Sequence, residues 1–216
     1  MHGSPVCVEM NMESRDRLFL TSTGRLARSM QRYFRGMYLR EGHAAWDRPD
    51  TISLNGWIER EWSEAWPEFF PAPDLVRMKL WKSVIASFPP PSPLEAGVLL
   101  CRMLDNSFSI LVRHGIDPAS GFPSTPLVDW RRTACGMFRS GLSETGQFHP
   151  AELPTRVARG LESGMIHPPG EYTLLGFEFP SPVEKDLFST LKRLSRQFRG
   201  PLEERPPGAI RAVTLH

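Results

Sequence analysis

The chain has 216 residues, enough to bury a proper core as one domain with a subdomain. Its formal net charge is only +2, so no global field draws it to nucleic acid, and any basic site has to be local. Three scattered cysteines, Cys7, Cys101 and Cys135, exclude a disulfide framework or a zinc ribbon. With no apolar run of membrane-spanning length and no signal-like start, the expected location is cytoplasmic.

Residues 1–14 show no periodicity and read as a loose lead-in. Arg17 to Thr21 (RLFLT) is short and apolar, a strand. Ser22-Thr23-Gly24 makes a turn, and a helix follows to about Arg40 with Leu26, Met30, Phe34, Met37 and Tyr38 on its apolar face. Arg25, Arg28, Arg32 and Arg35 recur at three- and four-residue steps on another face. A second strand is expected at Thr51 to Leu54. Asn55-Gly56-Trp57 then opens a helix that carries Ile58, Trp62, Ala65 and Trp66. Trp46, Trp57, Trp62 and Trp66 crowd together, but Trp62 and Trp66 share the apolar stripe, which points to packing rather than base stacking.

From Pro67 to Gly164 the pattern is helical throughout, with no strand. Helices are expected over Asp74–Ser87, from a capping box at Ser92-Pro93-Leu94-Glu95 to His114, from Thr125-Pro126 to Gly146, and over Leu153–Glu162. The second of these is apolar on most sides (Val98, Leu99, Leu104, Phe108, Leu111), as the centre of a small bundle would be. Tyr172 to Phe179 reads as a strand. Ser181-Pro182-Val183-Glu184 starts a helix whose apolar face runs Val183, Leu187, Leu191, Leu194, Phe198, with Gly200 ending it. After a Pro-rich link, Ala209 to Leu215 reads as a further strand. Strands that feed amphipathic helices imply a parallel α/β sheet.

A small-residue turn between a first strand and a first helix is where a P-loop protein cradles phosphate. Ser22-Thr23-Gly24 lacks the further glycines and the lysine that chemistry needs. The histidines show no metal-ligand spacing, and His149 and His167, each before a proline, read as surface turns. No Gly-x-Ser-x-Gly elbow is present. Glu184 sits at a helix start, where capping accounts for it. No catalytic set, metal or cofactor is expected.

Three features carry a family resemblance. Gly176-Phe177 stands where a UvrD-type helicase has its Walker B acidic pair, followed by Ser181-Pro182 and a Leu-rich helix. Trp46-Asp47-Arg48-Pro49-Asp50 precedes a short strand and a Trp-led helix. Trp130, Glu144-Thr145-Gly146, Leu153-Pro154 and Gly176-Phe177 then follow in order. Together they resemble the N-terminal helicase-like region of AddB-type (RecC-like) helicase–nuclease subunits, and of related bacterial proteins identified as probable DNA-repair nucleases. The likeness covers about residues 17–194.

The resemblance implies an α/β fold: a degenerate P-loop-helicase-like parallel sheet over residues 15–66 and 171–216, with an inserted helical subdomain over 67–170. It implies a non-catalytic scaffold of double-strand-break repair, with no Walker A lysine and no Walker B acids. Family members continue into further helicase-like domains and a nuclease, so this chain is expected to be the N-terminal piece of something larger or a truncated relative. The implied partners are DNA ends or single strands, and a helicase–nuclease subunit or further domains. The stripe of Arg25, Arg28, Arg32 and Arg35, read from its spacing, is the candidate set of phosphate contacts, with a solvated helix face as its other reading. Ser22, Thr23 and Gly24 stand at the degenerate nucleotide loop, and Gly176 and Phe177 at the degenerate Walker B position. The alternative is a stand-alone protein-interaction module of the same fold without a DNA role.

Overall fold

The computed structural model describes residues 17–42, 49–65, 67–91, 97–119 and 125–200. The expected lead-in at 1–14, Trp46 to Arg48, Trp66, the Ser92–Glu95 capping box, the Pro-rich link and the strand at Ala209 to Leu215 lie outside them. The protein is α/β, with a parallel sheet and seven helices among the described residues. It divides into two compact units. One holds residues up to Trp57, His167–Glu178 and the chain from Leu191; the other holds Ile58–Ile166 and Phe179–Thr190. The second unit thus starts earlier than residue 67 and takes in the first half of the helix after Ser181.

The first unit is built on four parallel strands in the order β2-β1-β5-β6: β1 (Arg17–Thr21), β2 (Asp50–Ser53), β5 (Glu171–Leu175) and β6 (Gln197–Arg199). Alternation sets its faces. Leu18 pairs with Tyr172, Leu20 with Leu174 and Tyr172 with Phe198, all buried. Trp57 lies edge-on to Tyr172 at 5.9 Å. Phe19 points the other way, toward Phe34 of α1 (Gly24–Arg40), ring centroids 5.0 Å apart. Gln31 of α1 donates to the Thr51 carbonyl at 2.7 Å, tying that helix to β2.

Several boundaries differ from the sequence expectation: β2 ends at Ser53, and Leu54, expected in the strand, opens the next helix. β5 stops at Leu175, because Gly176 turns the chain with φ of 77°. The helix after Ser181, α7 (Pro182–Leu194), stops before Phe198, and β6 follows it. Phe198 continues the helical apolar spacing, so periodicity alone extends the helix. The amides of Arg196 and Gln197 instead donate to the Gly170 carbonyl, which pulls the segment alongside β5. The α7 start is as expected: Ser181 Oγ accepts from the Glu184 amide at 3.4 Å, and Glu184 Oε2 accepts from the Ser181 amide at 2.7 Å.

The second unit is mainly helical: the rest of α2 (Leu54–Glu64), then α3 (Asp74–Ser87), α4 (Val98–Arg113), α5 (Pro126–Glu144) and α6 (Leu153–Glu162). It also contains two strands that the sequence reading excluded, β3 (Phe70–Pro71) and β4 (Gln147–Phe148), paired in parallel. Two-residue strands are too short to leave an alternation pattern. Trp81, Phe108, Phe138, Leu104, Ala134 and Leu142 form its core, with Trp81 stacked on Phe138 at 4.0 Å. Trp62 is buried, edge-on to Phe148, and donates to the Phe69 carbonyl at 3.0 Å. Trp62 therefore packs, as its place on the apolar stripe implied, and Trp57 is buried as well. α4 is less central than expected: Leu104 and Phe108 are buried, but Val98 and Leu99 are 69% and 73% exposed. Gly97 occupies its N-cap.

Candidate nucleic-acid interface

The carboxyl ends of β1 and β5 lie side by side, at the point where the chain's connections diverge. β1 leads to β2 on one side, and β5 leads to β6 on the other. In open α/β sheets that divergence is where ligands sit. The structure brings Ser22, which follows β1 and precedes Thr23 and Gly24, against Gly176, which follows β5 and precedes Phe177. A Cβ added at Gly176 would stand 2.8 Å from Ser22 Oγ and 2.7 Å from a Leu26 methyl. Its backbone conformation also favours glycine. Phe177 is buried.

The groups that a phosphate cradle would turn outward are engaged within the protein. The Ser22 amide donates to the Leu175 carbonyl at 3.0 Å. Thr23 Oγ1 caps α1 by accepting from the Leu26 amide at 3.2 Å, and Thr21 Oγ1 donates to the Thr23 carbonyl at 2.9 Å.

Arg25, Arg28, Arg32 and Arg35 are all exposed along one face of α1. The helix contains no acidic residue, and none of the four has an ion-pair partner among the described residues. Arg40, the fifth arginine of the helix, turns its Nε to the Gly36 carbonyl at 3.2 Å. Arg28 lies over the first turn, its Nη1 3.7 Å from where a Gly24 Cβ would be. Cations there add to the positive end of the helix dipole instead of offsetting it. The N-terminal half of α1 is thus a concentrated cationic edge, suited to phosphate oxygens and without base-reading geometry.

In the second unit, the sequence reading missed a buried polar cluster. Asp105 of α4 accepts from Arg77 Nε at 3.1 Å and from Trp81 Nε1 at 3.1 Å. His149, expected in a surface turn, is 3% exposed; His167 is exposed. His149 Nδ1 accepts from the Ala151 amide at 3.1 Å, so the neutral ring carries its proton on Nε2. Nε2 lies 3.4 Å from Asp105 Oδ1, close enough for attraction but not aligned as a hydrogen bond. Burial pushes the Asp105 carboxyl up, and the His149 ring and Arg77 guanidinium more than offset that, leaving it at about 2. No substrate reaches an imidazole this deeply enclosed, so the cluster joins α3, α4 and the turn before α6. Burial also raises the thiols of Cys101 and Cys135, the latter to about 11. Among the described residues no three His, Cys, Asp or Glu side chains gather as a metal site, and no helix is long and apolar enough to cross a membrane.

No protein-family model matches the chain, and no curated protein matches it in sequence.

Proposed function

We propose that this chain is a non-catalytic, degenerate P-loop-helicase-like scaffold module of an AddB-type DNA double-strand-break repair nuclease. It contacts DNA through the phosphate backbone or docks a helicase partner, in the cytoplasm. Nucleotide turnover and strand cleavage belong to other domains or chains. The observation that carries the reading is the face of α1, with four exposed arginines and no carboxylate paired to them among the described residues. The parallel order β2-β1-β5-β6 and the meeting of Ser22 with Gly176 are compatible with it.

The test is binding of a labelled blunt-ended duplex at low salt by the wild-type chain and by Arg28→Glu with Arg32→Glu. The double reversal is expected to weaken binding by at least about tenfold, because phosphate contacts supply most of sequence-independent affinity. Equal affinity for the two proteins removes the α1 phosphate contact and leaves only the docking role.

A second reading, a protein-interaction module without a DNA role, has its own observation. α4 exposes Val98, Leu99, Met103 and Ile110. Beside its start lies a cavity of about 560 Å³ walled by Met78, Ile85 and Cys101, with Lys79 and Lys82 in its lining. Absence of duplex binding by the wild-type chain, at any salt, moves this reading to the front.

A further inference from the structure

The second unit contains a polar cleft of about 270 Å³ that no part of the α1 reading uses. Three arginines line it: Arg139 from α5, and Arg156 and Arg159 from α6, with the Thr155 hydroxyl beside them. Two are held in place. Arg139 donates to Asp117 at 2.8 Å and lies 5.6 Å from the centre of the Phe108 ring. Arg156 lies 4.0 Å above the Phe148 ring and reaches Glu152 at 3.4 Å. Rings and carboxylates thus fix both guanidiniums in advance, lowering the entropy that a ligand would otherwise cost them.

Arg159 is exposed and has no carboxylate partner among the described residues. Three guanidiniums against two carboxylates leave one uncompensated positive charge. Arg156 Nε is buried without a hydrogen-bond partner. That atom has essentially no accessible surface, so a ligand oxygen in the cleft would meet the part of the Arg156 side chain that stays open, 31% of it. Arg159 and Thr155 would supply the remaining donors. Planar guanidiniums suit the tetrahedral oxygens of a phosphate group.

We propose that this cleft binds a phosphate group, as a diester of a nucleic-acid backbone or as a free phosphate monoester. The assignment stands apart from the α1 arginines, since no α1 residue lines the cleft.

The experiment uses the full chain as wild type, Arg159→Ala, Arg159→Lys, and Arg28→Glu with Arg32→Glu. Each substituted side chain is exposed, so the fold should tolerate all of them. Thermal midpoints are measured with millimolar inorganic phosphate against chloride at equal ionic strength. Binding of a short labelled duplex is followed over a salt series. A phosphate-induced rise in midpoint that Arg159→Ala removes and Arg159→Lys partly restores supports a free-phosphate site. That rise should persist in the α1 double reversal, and it would stand even if the α1 reading failed. A fall in duplex affinity in Arg159→Ala, with a salt slope smaller by about 1, supports backbone phosphate. A midpoint rise of equal size in wild type and Arg159→Ala places the ion elsewhere and overturns the proposal. So does the absence of both effects.

Discussion

Asp105 shows how a single buried carboxylate can organise a helical unit. Arg77, Trp81 and His149 approach it from α3 and from the turn before α6. A carboxyl whose pKa falls from the ordinary 3.8 to about 2 on folding binds its proton more readily in the unfolded chain. Its stabilising contribution is therefore complete above about pH 4 and is lost as pH falls toward about 2. Asp105→Asn removes the charge and leaves Arg77 only Asp74 and the Ala72 carbonyl, at an expected cost of about 3 kcal/mol at neutral pH. Urea unfolding across that acid range should show wild-type stability falling more steeply than that of Asp105→Asn. Parallel profiles would mean that Asp105 is not the group responsible. The sequence hid this cluster because its members are far apart in the chain, and because His149 before Pro150 has the local form of a turn.

At the scale of elements, the starts of α5 and α7 were legible and the short strands were not. Thr125 accepts from the Val128 amide at 3.3 Å with Pro126 at the first helical position, as its Thr-Pro sequence implies. Ser181 and Glu184 close their capping box, and Ser181→Ala should cost about 1 kcal/mol in chemical denaturation. A loss below about 0.3 kcal/mol would mean that neighbouring packing, rather than the cap, fixes the start of α7. Local chemistry of this kind is written within four residues. β3, β4 and β6 are not: each exists because a distant backbone pairs with it, and Phe198 fits a helical stripe and a strand face equally well. The exposed start of α4 was missed for a related reason. Val98 and Leu99 are apolar, and composition does not say which apolar side chains find a partner.

Across the whole molecule, a net charge of +2 conceals strong local asymmetry. Arg25, Arg28, Arg32 and Arg35 have no acid on their own helix, whereas several arginines elsewhere are matched, as in Arg77 with Asp105 and Arg139 with Asp117. The spacing of the α1 arginines was readable in the sequence, but their lack of ion-pair partners among the described residues required the fold. The junction of Ser22 with Gly176 was half readable. Both segments stand out as turns after strands, and only the pairing of β1 with β5 brings them together.

The most direct test of the central claim, that α1 meets phosphates, is the dependence of duplex affinity on salt. Wild type is compared with a variant carrying alanine at Arg25, Arg28, Arg32 and Arg35. If all four arginines neutralise phosphates, the slope of log affinity against log salt should shrink by about 3 to 4 in the variant, at about 0.9 for each phosphate no longer neutralised. Equal slopes in the two proteins would contradict the claim and leave the α1 arginines as a solvated face.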